Sequence, residues 1–153
     1  MAPFRYYLRV RYGECDAQKV VFNARYGEYV DLAVSEYIRA LGLNQSGQFV
    51  DFDFQVVKQT TEWRAPARFD DVLEISVATK HLGNTSFTLR KEFRIANQEA
   101  IVATVETVYV NVDPKEIKKA PLAENVRAAL TRGASGVQID HAGFQQRSSS
   151  INQ

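Results

Sequence analysis

Residues 4–12 alternate. Phe4, Tyr6, Leu8, Val10 and Tyr12 share one parity, and Arg5, Tyr7, Arg9 and Arg11 the other. That period of two predicts a half-buried strand with its arginines on a solvated face. Residues 13–22, GECDAQKVVF, break the pattern and predict a loop. From about Asn23 to Leu41 the period changes. Tyr26, Tyr29, Val30, Ala33, Tyr37, Ala40 and Leu41 fall on one face of a helix, and Arg25, Glu28, Asp31, Ser35, Glu36 and Arg39 on the others. Asn23 suits the N-cap and Gly42 the stop. Gly27 costs about 1 kcal/mol relative to alanine inside such a helix, which suggests a close approach to another backbone.

After a loop at 44–53, four strand-like stretches follow at about 54–65, 72–81, 85–95 and 100–112. In the second, Leu73, Ile75 and Val77 alternate with Glu74, Ser76 and Ala78. In the third, Thr85, Phe87, Leu89, Phe93 and Ile95 alternate with polar residues, and Lys91 breaks the pattern. The fourth, AIVATVETVYVNV, is apolar on both faces and reads as a central strand covered on both sides. Pro66–Asp71, Gly83-Asn84 and Asn97-Gln98 supply the turns. A short helix is expected at about 121–132, between Pro121 and Gly133. Residues 133–153, rich in Ser, Gln and Gly, are expected to be a mobile tail beyond a domain spanning 1–132.

The order is strand, long helix, four strands, short helix. A 19-residue helix is about 28 Å long, and an 11-residue strand about 36 Å. The lengths suit an α+β architecture: one curled antiparallel sheet of about five strands wrapped around a long central helix. One helix covers one face of such a sheet, so the doubly apolar last strand suggests a second subunit as further cover.

Composition narrows the function. The chain has 153 residues, 45% of them hydrophobic and 24% charged, with a net charge of +1. That charge argues against a nucleic-acid partner. Cys15 is the single cysteine. With only His81 and His141 for company it makes neither an internal disulfide nor a zinc site, so no metal is expected. The N-terminal stretch MAPFRYYLRVRYGE has no long apolar run, so no membrane association and a cytoplasmic location are expected.

The chemistry concentrates between Arg9 and Tyr26. Asp16 lies in the loop ahead of the long helix, among Cys15, Val20, Val21 and Phe22. A carboxylate there can attack an acyl carbon or activate water. The N–H groups at the start of the helix can stabilise an oxyanion. Taken bare, such an aspartate is more often a cap or a turn residue. The segment, however, resembles the signature of the 4-hydroxybenzoyl-CoA thioesterase family through Arg9-Val10, Cys15-Asp16, Val20-Val21 and Tyr26. It departs from that signature at Lys19, where the family has Gly, and at Asn23, where it has His or Phe. The likeness extends through EWRAPARFDDVLEI and covers about residues 4–132.

The resemblance implies a hotdog fold and an acyl-CoA thioesterase without a cofactor. Asp16 would be nucleophile or general base, and the Asn23 backbone N–H would polarise the thioester carbonyl. It implies a homodimer or homotetramer with CoA crossing a subunit interface, where Asn84, Thr85 and Ser86 would bind the pantetheine arm. Arg64, with Arg68 and Lys80 as alternatives, would meet the phosphates, and Phe22 and Tyr26 would line the acyl pocket. Glu14 is expected to be solvated, Cys15 a packed thiol, His81 a packed or rim residue, and His141 inert. The alternatives are a non-catalytic acyl-CoA binding module and a hotdog hydratase or dehydratase, which needs a histidine at the site.

Overall fold

The computed structural model describes residues 2–45, 48–49 and 53–145. Its strands are β1 (Phe4–Arg9), β2 (Asn44–Gln45), β3 (Gln48–Phe49), β4 (Phe54–Trp63), β5 (Val72–Leu82), β6 (Ser86–Ile95), β7 (Ile101–Asn111) and β8 (Gln138–Asp140). Its helices are α1 (Arg25–Ala40) and α2 (Glu124–Arg132). Six strands make one sheet in the order β4-β7-β6-β5-β1-β8, antiparallel except for β1 with β8. The strands β2 and β3 form a separate small hairpin.

The period-two reading holds on the inner face. Phe4, Tyr6 and Leu8 of β1, Leu73, Ile75 and Val77 of β5, and Phe87, Leu89 and Phe93 of β6 are buried. They pack against Tyr26, Tyr29, Val30, Ala33, Val34, Tyr37 and Ile38 of α1. This is the long-helix-on-curled-sheet arrangement of the hotdog fold. The helix ends as expected: Gly42 adopts φ 79°, its N–H reaches Arg39 O, and the Leu43 N–H reaches Ile38 O.

Four expectations are corrected. The helix begins at Arg25, and Asn23 does not cap it; the flanking Ala24 makes no side-chain cap bond. A turn precedes the helix instead, with the Arg25 N–H bonded to Phe22 O at 2.9 Å. His81 leaves the inward parity of Leu73, Ile75 and Val77, because a bulge between Thr79 and His81 shifts the register. His81 is exposed, and Leu82 takes the inward place.

The segment after Gly133, expected as a tail, carries β8. Its Ile139 and Val137 pack on the core, Phe144 stacks on Tyr7 at 5.5 Å, and Asp140 Oδ1 accepts from the Ala142 N–H at 2.8 Å. Residues 146–153 of that expected tail lie outside the described residues. Last, the outer face of β7 is largely buried within the single chain at Val102, Thr104 and Val110. The Asn111 side chain donates to Ala120 O and Pro121 O at 3.0 and 3.1 Å. Exposed large apolar groups among the described residues include Val56, Val57 and Trp63 on the edge strand β4, Leu32 on α1, and Tyr12, Phe22, Phe69 and Ile117 in connecting segments. Among the described residues no helix is long and apolar enough to cross a membrane.

Candidate active site

The loop from Glu14 to Phe22 is a narrow, two-sided tie. The Asp16 N–H bonds Val20 O at 2.9 Å, the Lys19 N–H bonds Asp16 O at 2.9 Å, and the Phe22 N–H bonds Glu14 O at 3.0 Å. Asp16 Oδ1 accepts from the Gln18 N–H at 2.8 Å, which closes an Asx turn. The Val21 N–H bonds Ala67 O at 2.8 Å, and Val20 bridges Arg68, so the loop is laced to the segment between β4 and β5. Lys19 adopts φ 66°. The left-handed conformation that a glycine would adopt freely is therefore kept here, with lysine in it. Asp16 itself is exposed in the single chain, so its apolar sequence neighbours do not enclose it.

Glu14 is the residue that sequence reasoning misjudged. It is 5% exposed. Its carboxylate takes the Arg11 backbone N–H at 2.7 Å, the Arg11 guanidinium at 2.8 and 3.1 Å, and the Tyr29 hydroxyl at 2.8 Å. Burial pushes its pKa up, and the bonds from Arg11 and Tyr29 more than offset that, leaving it below the usual carboxylate range. Burial and the Glu14 bond push the Tyr29 hydroxyl far up, so it remains a donor. Glu14 thus pins the loop two residues before Asp16 to the first turns of α1. Nothing in the sequence marked that pairing, because Glu14 and Tyr29 belong to different patterns.

The other predicted residues divide into two groups. Near Asp16 stand Phe22, half exposed, and Tyr26, 2% exposed. Tyr26 packs on Phe93 at 5.3 Å and edge-on to Trp63 at 6.1 Å. It is a core residue, and Trp63, 48% exposed, presents the aromatic surface beside it. Among the described residues, no acceptor within the chain takes the Asn23 N–H. Cys15 is partly buried against the core, and burial pushes its thiol pKa up.

Asn84 and Thr85 sit at the opposite end of the sheet, in the β5–β6 turn, and Ser86 opens β6. The pairing Trp63–Ala103 and Phe93–Ala103 marks the Asp16 end, and Ser86–Val110 the far end. Their backbone carbonyls serve the fold: Thr85 O accepts from the Asn111 N–H, and Arg127 donates to Gly83 O and Asn84 O. One chain therefore does not bring Asp16 and this turn together.

Arg64 is exposed and lines a shallow polar groove of about 230 Å³ on the outer sheet face, with Thr60, Glu62, Arg90, Thr104 and Glu106. Arg68 is exposed, and its N–H bonds Asp71 Oδ2. Lys80 is held by Glu106 at 2.7 Å. His141 joins the Tyr6 hydroxyl at 2.9 Å and lines a cavity of about 440 Å³ with Glu14, Tyr29 and Leu32. Among the described residues no cluster of three or more His, Cys, Asp or Glu side chains is placed to hold a metal ion.

The chain is similar to several known proteins. The sequence pattern described as the thioesterase-like superfamily matches residues 10–130. The acyl-CoA thioester hydrolase YbgC of Escherichia coli is 34% identical over 127 residues, 82% of this chain and 93% of that protein. Among solved structures, a hypothetical protein from Aquifex aeolicus superposes with a TM-score of 0.76 at 26% identity, covering 84% of this chain and 99% of its own. A gentisyl-coenzyme A thioesterase superposes with a TM-score of 0.70 at 25% identity, covering 82% of this chain and 98% of its own. The strand β8 falls outside the matched span. With a hotdog fold and a superfamily match over most of its length, the chain belongs to the thioesterase-like superfamily.

Proposed function

We propose that this protein hydrolyses an acyl-CoA thioester to the free acid and CoA, with Asp16 as nucleophile or general base and the Asn23 N–H as donor to the thioester oxygen. The reaction class is thioester hydrolysis, in keeping with the superfamily and with relatives named as acyl-CoA thioester hydrolases. The observation that carries the roles is the Glu14–Phe22 loop. It is tied to Ala67 and Arg68 on one side and through Glu14 to Tyr29 on the other, and it carries Asp16 ahead of α1 in the same loop region as the Asn23 N–H, which has no acceptor among the described residues. As the carbonyl carbon becomes tetrahedral, its oxygen gains charge that this N–H and the helix dipole stabilise. Collapse expels the CoA thiolate. Asp16 either holds the acyl group as an anhydride that water then cleaves, or takes the proton from the attacking water.

The site is completed by a second copy. The edge strand β4 exposes Val56, Val57 and Trp63, because the register shift between Val56 and Lys58 turns consecutive valines outward. A ten-residue edge of this kind invites pairing. Antiparallel pairing of β4 with its copy about a two-fold axis sets the Asp16 end of one chain beside the Asn84–Ser86 end of the other. Those residues and Arg64 then serve as the CoA contacts, and Phe22 and Trp63 flank the acyl group. The hydratase alternative has no histidine on the Asp16 loop or on α1: His81 lies on the far end of β5, and His141, bound by the Tyr6 hydroxyl, comes from the segment after β8.

The test is Asp16→Asn against a panel of short, long and aromatic acyl-CoAs. The expected result is a fall in kcat of about 100-fold or more with substrate binding retained. Hydrolysis near the wild-type rate would remove Asp16 from the mechanism. Tight acyl-CoA binding without CoA release by the wild-type protein would make it a binding module.

A further inference from the structure

The cavity of about 440 Å³ that His141 lines lies between α1, β1 and the segment after β8. That is the side of the sheet away from the β4 edge, and Asp16 is not in the lining. Its volume is that of a small-molecule site, roughly 300–1,000 Å³. Leu8 of β1 and Leu32 of α1 give it apolar walls. Leu32 is 48% exposed, and the lining Arg11 side chain is 78% exposed, so solvent reaches the cavity. A ligand seated there would cover the apolar surface that Leu32 leaves open.

The polar part of the lining has donors to spare and few acceptors. Both Glu14 oxygens are taken, one by the Arg11 N–H and the Tyr29 hydroxyl and the other by the Arg11 guanidinium. Ala142 O accepts from Arg9 Nη2 at 3.2 Å, which brings Arg9 beside the residue that follows His141. Arg9 Nη1 is held by Asp70, and among the described residues its Nε–H has no acceptor. The Tyr6 hydroxyl lies 2.9 Å from His141 Nδ1. When that hydroxyl donates, the ring hydrogen sits on Nε2, which becomes a second donor near Arg9. Charge agrees with this. Two guanidinium groups line the cavity against one carboxylate. The Asp70 that pairs with Arg9 at 3.3 Å is 61% exposed at its side chain, so solvent screens it.

Apolar walls, neighbouring N–H donors and a residual positive charge select a ligand with an apolar body and one anionic acceptor. A planar carboxylate suits a guanidinium, and a single charge suits a lining that already holds Glu14. We propose that this cavity binds a small monocarboxylic acid, its carboxylate at Arg9 and His141 and its apolar body against Leu8 and Leu32. The site is separate from Asp16 and does not rest on the hydrolase reading. Thioester hydrolysis would itself release a carboxylic acid, so the test fills the Asp16 site first.

Hexanoate and benzoate, with hexanamide and benzamide as neutral counterparts, are titrated into the full chain with excess S-hexyl-CoA thioether present, which cannot be hydrolysed. Leucine methyl signals in NMR spectra report the cavity through Leu8 and Leu32. The acids should shift both signals with a Kd of about 1 mM or tighter. The amides should bind about tenfold more weakly or worse, because they bring no charge to Arg9. Leu32→Glu, which sets a carboxylate at the exposed mouth, and Arg9→Met should each weaken acid binding by about tenfold or more, read at Leu8. Leu32 is exposed, so its variant keeps the test alive should Arg9→Met fold poorly. Leu8 and Leu32 signals that do not move, amides that bind as well as the acids, or unchanged affinity in folded variants overturn the proposal. So does acid binding that the thioether abolishes, which would place the acid at Asp16.

Discussion

Replacing Lys91 by methionine should change stability by an amount whose sign reverses with pH. Burial lowers the Lys91 pKa from 10.5 to about 7, and the Asp31 charge only partly opposes this. That difference corresponds to about 5 kcal/mol. Below pH 7 the ammonium is charged in both folded and unfolded chains, and the folded state carries the whole penalty. Between about pH 7 and 10.5 the unfolded chain holds a proton that the folded chain has released, so wild-type stability rises with pH across that window.

Methionine has a similar length and no charge, so Lys91→Met removes the penalty. It also loses the two hydrogen bonds that even the neutral amine donates to Thr107 and Tyr109, about 0.5–1.5 kcal/mol each. The variant should therefore be more stable than wild type by about 2–4 kcal/mol at pH 6 and less stable by up to about 2 kcal/mol at pH 10, crossing near pH 9. Urea titrations followed by circular dichroism, at fixed protein concentration and several pH values, measure this directly. A variant less stable than wild type at pH 6 would refute the reasoning. So would a difference that stays constant between pH 6 and 10.

Three further outcomes are expected. Lys19→Gly should raise stability by about 0.5–1 kcal/mol in urea titration, because Lys19 holds φ 66°. Tyr29→Phe should cost about 1–3 kcal/mol by leaving Glu14 one donor short. Because the Glu14 pKa is held below its ordinary 4.5, its stabilisation is present above that value and fades as pH falls through the depressed one; Tyr29→Phe should move that acid loss to higher pH in an acid-unfolding titration. Val57→Glu on the β4 edge should convert the assembly to monomers in sedimentation and abolish hydrolysis while the circular dichroism spectrum is kept.

Alternation and helical spacing carried most of the fold. β5, β6 and β7 fall within a residue of where the pattern puts them, while β1 starts where expected and ends at Arg9, three residues early; in β1, β5 and β6 one face lies in the core and the pleat makes it visible as a period of two. Where tertiary contacts override local preference, the sequence was silent. Asn23 has good capping chemistry, yet the chain enters α1 through a turn anchored on Phe22, and the helix starts two residues later. The bulge before His81 reverses parity without any glycine or proline to announce it. The strand β8 is short, and its anchors, Phe144 on Tyr7 and His141 on Tyr6, span more than 130 residues of sequence in each case. Lys91 was visible as a break in β6, but its partners Thr107, Tyr109 and Gln59 come from two other strands.

The same distinction between local and distant information governs the site. The Asp16 loop is legible because its requirements are local: a carboxylate, one residue in a left-handed turn, and a helix start within a few positions. Its support is not local, since Glu14 needs Tyr29 and Val21 needs Ala67. The proposed CoA contacts are further removed still. Asn84, Thr85 and Ser86 lie a full strand length from Asp16, roughly 33 Å for ten residues. No side-chain movement within one chain closes such a gap. A site that uses both ends of the sheet therefore needs the antiparallel approach of two copies. The unpaired edge of β4, with Val56 and Val57 facing outward and Trp63 beside Tyr26, is the surface that can supply it. Oligomeric state and activity should then fail together: a substitution that breaks the β4 edge removes the CoA contacts along with the partner, although Asp16, Lys19 and Asn23 are untouched.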